Sequence, residues 1–396
     1  MDLETYQHAI TPPWNRQFRE STAVASFGSF STHTTVLPAQ NGHVGPGPID
    51  FWNGDAAPEP VSGTGGEHPA PPAAEPGPLP PPTMDDVAAQ SLLKRRKAAP
   101  SGGWRRAVHK LSGGHLNPGD SPAQVYRQAL AERINQPLRG DYRIAFLSLK
   151  GGVGKTTTTV GLGSTFASLR GDRVIALDAN PDFGTLAQRV PNQTLSTVRD
   201  LLDDRDARRY CEVRLHTSQA SSRLEVLASE RDPAVSEAFS EEDYRAAVKV
   251  LQYHYNLILT DCGTGLMHSA MNGVLALANS LVLVSAPAID GARSAAATLD
   301  WLDCHGFGHL VERTVVVISA PRPGASTLDV DMLVRHFRAR CRAVQIIPFD
   351  EHLSEGGVLE LELLHPDTRL AFMELAALVA EDFPAPEGRH AGTFRC

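Results

Sequence analysis

The stretch from Lys150 to Thr157 constrains this chain most, because it places a glycine-rich turn between a strand-like segment and a helix-like one. Residues 143–149 are mostly apolar and predict a short buried strand, and residues 156–169 predict a helix. Such a turn directs several backbone N–H groups at one point, where the helix dipole adds partial positive charge. The sequence therefore predicts a phosphate-binding loop and an α/β fold built around it.

The loop fits a deviant form of the P-loop pattern. The strict pattern requires a glycine five residues before Gly154, and Leu149 stands there instead. An additional lysine, Lys150, opens the loop. Lys155 should reach the β- and γ-phosphates, and the Thr156 hydroxyl should hold Mg²⁺. The residues expected to cradle the nucleotide are Gly151, Gly152, Val153, Gly154, Lys155, Thr156 and Thr157.

Two further segments resemble motifs of the MinD/ParA family of deviant Walker ATPases. Residues 174–181 are similar to the family's second motif and contain Asp178 and Asn180. Residues 255–265 are similar to the Walker B strand and its following loop, with Asp261 near the end of an apolar run. The resemblance implies ATP as substrate and Mg²⁺ as cofactor, with Asp261 contacting the metal through water. From the residues alone, Asp261 could also be an ordinary turn aspartate.

The resemblance also implies catalytic roles for Lys150, Lys155, Asp178 and Asn180. In this family the extra lysine reaches across a dimer that sandwiches ATP, so a homodimer is expected, with Lys150 at the partner's phosphates. Many members carry a second aspartate where this chain has Asn180. An amide can orient a water molecule but is a poor base, so we expect slow hydrolysis.

The family resemblance places the adenine base near the ends of two later strands. The residues implied there are Ser319 and Pro348, at the ends of the apolar runs 315–319 and 345–348. Ser319 stands where many members carry asparagine. The residues alone do not decide between ATP and GTP.

Strand-like and helix-like segments alternate from about Asp141 to Phe383. The strand-like runs are apolar on both faces, which is typical of a parallel sheet covered on two sides. Right-handed crossovers then give a doubly wound, mostly parallel sheet. The family resemblance implies that residues 141–383 form a P-loop ATPase domain on this sheet. Strands are expected near 143–149, 173–178, 224–228, 256–261, 280–285, 313–319 and 344–347, and helices near 156–169, 241–252, 266–279, 290–304 and 327–341.

The segments outside this domain differ in composition. Thirteen of the 29 prolines lie between Pro38 and Pro82, so residues 1–100 are expected to be disordered. This arm is either a docking segment for a protein partner or a solvated spacer. Residues 101–140 are interpreted as a basic linker and a helix that begins after Ser121. Residues 94–110 could bind acidic lipid, nucleic acid or protein, or simply be solvated, and residues 384–396 are expected to form a flexible tail.

Composition and charge argue against several classes of protein. The formal net charge of −8 does not suit a general nucleic-acid coat. The first residues lack the basic and apolar regions of a signal peptide, and no run reaches the roughly 18 to 20 apolar residues of a membrane span. The five scattered cysteines include no CxxC pair, which argues against an iron–sulfur carrier. We therefore expect a cytoplasmic protein, which a membrane-bound partner could recruit to the plasma membrane.

Two helices bear on membrane and DNA binding. The last predicted helix, 366–382, carries mostly acidic charges opposite its apolar face, so core docking is expected rather than contact with anionic lipid. Arg335, Arg338 and Arg342 are expected near one face of the preceding helix. That face is either solvated or a DNA footprint, and the excess of acidic residues after Ala286 favours a solvated one.

Three functions remain open at this stage. The first is a dimerising ATPase that positions or regulates a partner assembly. The ending 347–350 with the residues 353–357, together with the proline-rich arm, resembles actinobacterial MinD-like proteins associated with type VII secretion. The second is a ParA-type DNA-partitioning ATPase. The third is a nucleotide-gated adaptor with negligible hydrolysis.

Overall fold

The structure is a computed structural model that describes residues 111–112, 120–180, 184–230, 239–320 and 329–384. The predictions for the proline-rich arm, for the basic segment up to residue 110 and for the tail beyond residue 384 lie outside the described residues.

One eight-stranded sheet organises the described chain, with the strand order β3-β4-β2-β5-β1-β6-β7-β8. All neighbouring strands pair in parallel except β3 and β4, which are antiparallel. The predicted doubly wound, mostly parallel fold is confirmed, whereas the short edge strand β3 was not predicted. The strands are β1 (Tyr142–Leu147), β2 (Val174–Ala179), β3 (Ser218–Gln219), β4 (Glu225–Leu227), β5 (Leu257–Cys262), β6 (Ser280–Ser285), β7 (Thr314–Ser319) and β8 (Ala343–Ile347).

Helices cover both faces of the sheet, as the apolar strands require. Successive side chains of a strand point to opposite faces, and in β1 Ala145 and Leu147 join one hydrophobic cluster while Ile144 and Phe146 join the other. The helices are α1 (Pro122–Ile134), α2 (Lys155–Leu169), α3 (Val198–Asp203), α4 (Tyr210–Val213), α5 (Glu241–Leu251), α6 (Ser269–Leu277), α7 (Ile289–Cys304), α8 (Gly308–Glu312), α9 (Val330–Arg338), α10 (Glu351–Glu355) and α11 (Pro366–Ala380).

Helix α1 packs on the face that also carries α2 and α11. Its start confirms the sequence prediction, because Ser121 and Gln124 form a capping box and proline occupies the first turn. The Tyr126 hydroxyl donates to the Glu374 carboxylate of α11 at 3.0 Å. At the other end, the buried Arg170 guanidinium donates to the carbonyl of Gln136 at 2.9 Å. Helix α1 and the residues up to Gln136 are therefore fixed to the domain.

Helix α11 docks into the core, as expected for the last predicted helix. Phe372 and Leu375 are buried against α2. Gly161 of α2 makes this approach possible, because a Cβ there would lie 2.3 Å from the Phe372 ring. Within the described ranges, no helix is both long and apolar enough to span a membrane.

The prediction of three arginines on one face of α9 is wrong in part. The helix ends at Arg338, so Arg342 lies beyond it at the start of β8. Arg335 and Arg338 are exposed, whereas Nε and Nη2 of Arg342 are buried. Only two of the three arginines share an exposed helical surface.

Strand order brings the sequence motifs together. β1, which leads into the loop 150–157, lies directly beside β5, and β5 lies beside β2. In the parallel register Asp178 of β2 pairs with Asp261 of β5, and Phe146 of β1 pairs with the same Asp261. The three segments therefore end side by side at the carboxyl edge of the sheet, where α/β proteins bind ligands.

Candidate nucleotide-binding site

The loop between β1 and α2 requires glycine at two positions. Gly152 and Gly154 have φ angles of 75° and 91°, in the left-handed region that side chains disfavour. Gly154 also lies against the end of β7, since a Cβ on it would be 3.0 Å from Ser319 Oγ. Gly154 is the N-cap of α2, and no side chain caps this helix start. The amides of its first turn are thus available to an anion.

The Asp261 carboxylate is the centre of the site. Lys155 Nζ donates to one of its oxygens at 2.6 Å, and Thr156 Oγ1 donates to the other at 2.6 Å. Thr159 Oγ1 lies 3.4 Å from the first oxygen. The side chains of Lys155 and Asp261 are only 8% and 1% exposed. Sequence reasoning identified three of these four residues and missed Thr159.

Asp178 lies in the neighbouring strand and shapes the turn that follows β2. Its two oxygens accept hydrogen bonds from the backbone N–H groups of Asn180 and Leu186, each at 3.1 Å. Gly184 makes this turn possible, because a Cβ there would lie 2.0 Å from Asp178 Oδ2. Asn180, the predicted water-orienting residue, lines a small cavity together with Asp178 and Ser229.

Two buried carboxylates close together disfavour full ionisation of both. Burial raises the pKa of Asp178 above the ordinary range of an aspartate, and the negative charge of Asp261 raises it further. The backbone N–H groups of Asn180 and Leu186 and the Lys155 ammonium oppose this shift only in part. The Asp178 side chain therefore holds a proton to a higher pH in the folded chain than in the unfolded one.

The Lys150 side chain lies outside this buried cluster. Its ammonium forms an ion pair with the Asp290 carboxylate at the start of α7, which sequence reasoning did not predict. The two side chains are 45% and 64% exposed. The ion pair and the N–H of Gly291 lower the pKa of Asp290. Since exposed ion pairs are weak, Lys150 is able to exchange partners.

The two residues expected near adenine lie at the ends of β7 and β8. Ser319 pairs with Ile347, the residue before Pro348, and the Ala320 N–H donates to the Ile347 carbonyl at 2.8 Å. Ser319 lies against Gly154 of the loop, as described above. The structure thus places Ser319 beside the loop 150–157. Pro348 directly follows Ile347, the residue of β8 that pairs with Ser319.

The residues present suit Mg²⁺ together with a nucleotide. Mg²⁺ is usually held by one or two carboxylates, water and substrate phosphates rather than by a complete protein cage. Thr156 and Asp261 offer a hydroxyl and a carboxylate 2.6 Å apart. No group of three His, Cys, Asp or Glu side chains suited to a metal ion occurs among the described residues. A metal at this point would therefore take its remaining ligands from phosphate and water.

Comparison with known families agrees with this geometry. The model of the CobQ/CobB/MinD/ParA nucleotide-binding domain matches residues 144–358 of the chain. The matched region covers more than half of the chain, and it contains the loop, the second motif and the Walker B-like strand.

Two kinds of relatives are similar in sequence. The ESX-1 secretion-associated protein EspI of Mycobacterium tuberculosis is 40% identical over 283 residues, which are 71% of this chain and 42% of that protein. The present chain thus spans less than half the length of that relative. The septum site-determining protein MinD of Synechocystis is 27% identical over 256 residues, which are 61% of this chain and 90% of that protein.

Among solved structures, a ParA family ATPase from Chlorobium tepidum has a TM-score of 0.50 and 20% sequence identity. The match covers 60% of this chain and 98% of that chain. This likeness concerns the fold alone.

The raised pKa of Asp178 predicts how stability depends on pH. Between the ordinary aspartate pKa of about 3.9 and the raised value, the folded state binds more protons than the unfolded state. We therefore expect the free energy of unfolding of the wild type to fall relative to Asp178→Asn as pH rises. The difference should change by at most about 1.4 kcal/mol per pH unit. Urea unfolding at a series of pH values from about 5.5 to 7.5 measures it.

Glu212→Gln is the matched control for this series. The side chain and backbone N–H of Arg209 lower the pKa of Glu212 to about 2, so this group is ionised in both states above about pH 5.5. Its difference from the wild type should be flat with pH. A flat Asp178→Asn series would show that Asp178 is ionised throughout and would contradict the electrostatic account of the buried pair.

Proposed function

The chain belongs to the CobQ/CobB/MinD/ParA nucleotide-binding family, and from this premise we propose that it is a Mg²⁺-dependent ATPase that dimerises around ATP. The single observation that carries the proposal is the convergence of Lys155, Thr156 and Asp261 beneath an uncapped helix start. An ammonium, a hydroxyl and a carboxylate within hydrogen-bonding distance are the groups that phosphoryl transfer requires for positioning and charge neutralisation.

In the proposed reaction, water attacks the γ-phosphorus of ATP while the bond to the bridging oxygen breaks, giving ADP and phosphate. The bridging oxygen leaves with ADP, and the proton lost by the water passes to a phosphate oxygen or to solvent. Lys155 turns from Asp261 to the phosphate oxygens, and the loop amides hold the remaining charge. Thr156 and Asp261 would hold Mg²⁺, which would supply positive charge to neutralise the phosphates. Each protein group positions or neutralises, and none forms a covalent intermediate.

Slow turnover follows from the residue at position 180. Asp178 is a positioning residue, because its bonds to the amides of Asn180 and Leu186 fix the turn that carries Asn180. The Asn180 amide orients the attacking water without adding negative charge or accepting its proton. This chemistry also favours a second candidate, a nucleotide-gated adaptor with negligible hydrolysis.

Dimerisation is supported by the surface around Lys150. The ammonium is exposed and held only by a surface ion pair with Asp290, from which it can move to the phosphates of a second chain. Apolar side chains are exposed at the same edge, with Ile289 at 62% and Met267 at 82%. Covering such side chains on association adds hydrophobic stabilisation to the contribution of the bound nucleotide.

The similarity to EspI supports a role beside a secretion system, where the ATP-bound dimer would regulate or position a partner assembly. We propose that the proline-rich arm recruits that partner. Pulldown with the full chain and with a chain beginning at Gly102, each with and without ATP, tests this role. Retention of the same partners by the shortened chain would instead assign recruitment to the ATPase domain.

The two lysines of the loop should have separable roles. Lys155→Ala should abolish the heat of Mg·ATP binding and the accompanying rise in melting temperature, because the phosphates lose their buried cation. Lys150→Ala should bind ATP as a monomer but should lose the ATP-dependent dimer. Calorimetry and size-exclusion chromatography with light scattering measure the two effects.

Three controls accompany this pair. Lys249→Ala removes an exposed lysine of α5 and should behave like the wild type in both measurements. Asp290→Ala removes the surface ion pair while keeping Lys150, and it should keep the dimer. Thr156→Val removes the hydroxyl assigned to Mg²⁺. It should also lose nucleotide binding, and it provides a second test if Lys155→Ala does not fold. If wild type at millimolar Mg·ATP gives neither heat nor a melting shift, the proposed function is wrong.

Turnover should rise when the second motif is completed. Asn180→Asp adds a carboxylate at the water-orienting position, and we expect the rate of phosphate release to increase about tenfold or more. ATP affinity should be unchanged, and Asn180→Ala should not be faster than the wild type. An unchanged rate for Asn180→Asp at equal ATP affinity would show that residue 180 does not limit hydrolysis.

A further inference from the structure

Arg189 combines partial burial with the lack of a counterion. It ends the short 3-10 helix Leu186–Arg189, which follows the turn held by Asp178. The side chain is half-buried. Within the described parts of the chain, no carboxylate lies within 4.0 Å of its guanidinium, and the guanidinium donates no hydrogen bond. Removing an arginine from water without an acceptor costs free energy, so this arrangement needs a physical reason.

The backbone fixes where this guanidinium lies. The Leu359 N–H donates to the Arg189 carbonyl at 2.9 Å, which joins the 3-10 helix to the segment after α10. The guanidinium lies next to Gly356, since a Cβ on that glycine would be 3.4 Å from Nη1 and 3.9 Å from Cζ. Gly356 has a φ of 72° and carries no side chain that could push the guanidinium away. These contacts hold both the backbone and the guanidinium of Arg189 beside the segment Gly356–Leu359.

The electrostatic surroundings link Arg189 to the nucleotide-binding site. Its charge is attracted by Asp261, the carboxylate that binds Lys155 and Thr156. Burial lowers the pKa of Arg189, and the charge of Asp261 opposes this shift. An arginine remains protonated in any protein, so the side chain is a positive charge that interacts with Asp261.

A triphosphate is the ligand chemistry that this arrangement fits. Guanidinium groups present several N–H donors in one plane and bind phosphate oxygens through two parallel hydrogen bonds. When the phosphates of a nucleotide lie over the loop, they add negative charge next to the carboxylates of Asp261 and Asp178. Lys155, which pairs with Asp261, is a buried cation that offsets part of this charge. A second cation in the same chain would reduce the remaining repulsion.

We propose that Arg189 is a phosphate-binding residue that contacts the phosphate chain of the nucleotide from the side of the segment Gly356–Leu359. This inference rests on the proposed nucleotide binding and adds to it a cation supplied by the same chain. Neither the loop pattern nor the second motif contains this residue. The role is binding and charge neutralisation, with no covalent step.

The test uses the full chain and two ligands. Calorimetry is carried out with Mg·ATP and with inorganic tripolyphosphate for wild type, Arg189→Gln, Arg189→Lys and Arg338→Gln. Arg189→Gln should weaken the binding of both ligands by about tenfold to a hundredfold, as for loss of a charge-assisted hydrogen bond. Arg189→Lys should lose less, and Arg338→Gln, which changes an exposed arginine of α9, should match the wild type.

Chemical rescue separates a phosphate contact from a structural role. Added methylguanidine should restore part of the ATP affinity of Arg189→Ala, whereas it should not affect Lys155→Ala. Equal affinities of wild type and Arg189→Gln for both ligands would overturn the inference, and so would weaker binding of ATP with unchanged binding of tripolyphosphate, which would place Arg189 at the base or ribose. If the wild type binds neither ligand, the proposed function itself fails.

Discussion

The buried contact between the Lys155 ammonium and the Asp261 carboxylate is the interaction on which the site depends. It joins the first turn of α2 to the end of β5 at 2.6 Å, and Thr156 completes it from the adjacent position of the same helix. Burying one of these charges alone would be strongly unfavourable, whereas the pair with an additional hydroxyl donor is tolerated. The strand order β2-β5-β1 makes the pair possible, because it puts the loop and Asp261 on neighbouring strands. Phosphate, which would compete for Lys155, is therefore presented with a cation that is already desolvated and oriented.

A second buried carboxylate, that of Asp178, lies at the same carboxyl edge of the sheet. Its oxygens are engaged by two backbone N–H groups rather than by a cation, and burial beside Asp261 raises its pKa. Two residues of different character lie on either side of the turn that Asp178 holds, Asn180 at the cavity and Arg189 at the end of the following 3-10 helix, beside Gly356. A single strand-end aspartate thus fixes the backbone at Asn180 and at Leu186, the first residue of the 3-10 helix that ends at Arg189. Position 184 requires glycine, because a Cβ there would lie 2.0 Å from Asp178 Oδ2.

The sequence was most informative where the residues of one site lie close together along the chain. Gly152, Gly154, Lys155 and Thr156 lie within a few residues, and their spacing alone predicts a loop that leads into a helix. Apolar runs predicted the parallel sheet because strands buried on both faces carry few polar residues. Contacts between residues that are far apart in the sequence leave no local sequence pattern from which they could be predicted. Asp290 meets Lys150 across 140 positions, and Arg189 meets Gly356 across a comparable separation, so neither was found. The end of α9 at Arg338 was also missed, since a run of arginines continues the helical spacing past the point where the chain turns into β8.

The two lysines of the loop differ in burial, and this difference determines how easily each can leave its carboxylate partner. Lys155 is 8% exposed and pairs with a carboxylate that is 1% exposed, whereas the members of the Lys150–Asp290 pair are 45% and 64% exposed. Water screens the outer pair, so breaking it costs little and its lysine can serve a second chain. The inner pair is held in a low-dielectric environment, where only a ligand that brings its own negative charge can draw the ammonium away. In the dimer proposed above a nucleotide would meet both conditions, since its phosphates would compensate Lys155 inside one chain and present charge at the surface to Lys150 of another. Under that proposal, nucleotide binding and association of two chains are coupled through the same ligand.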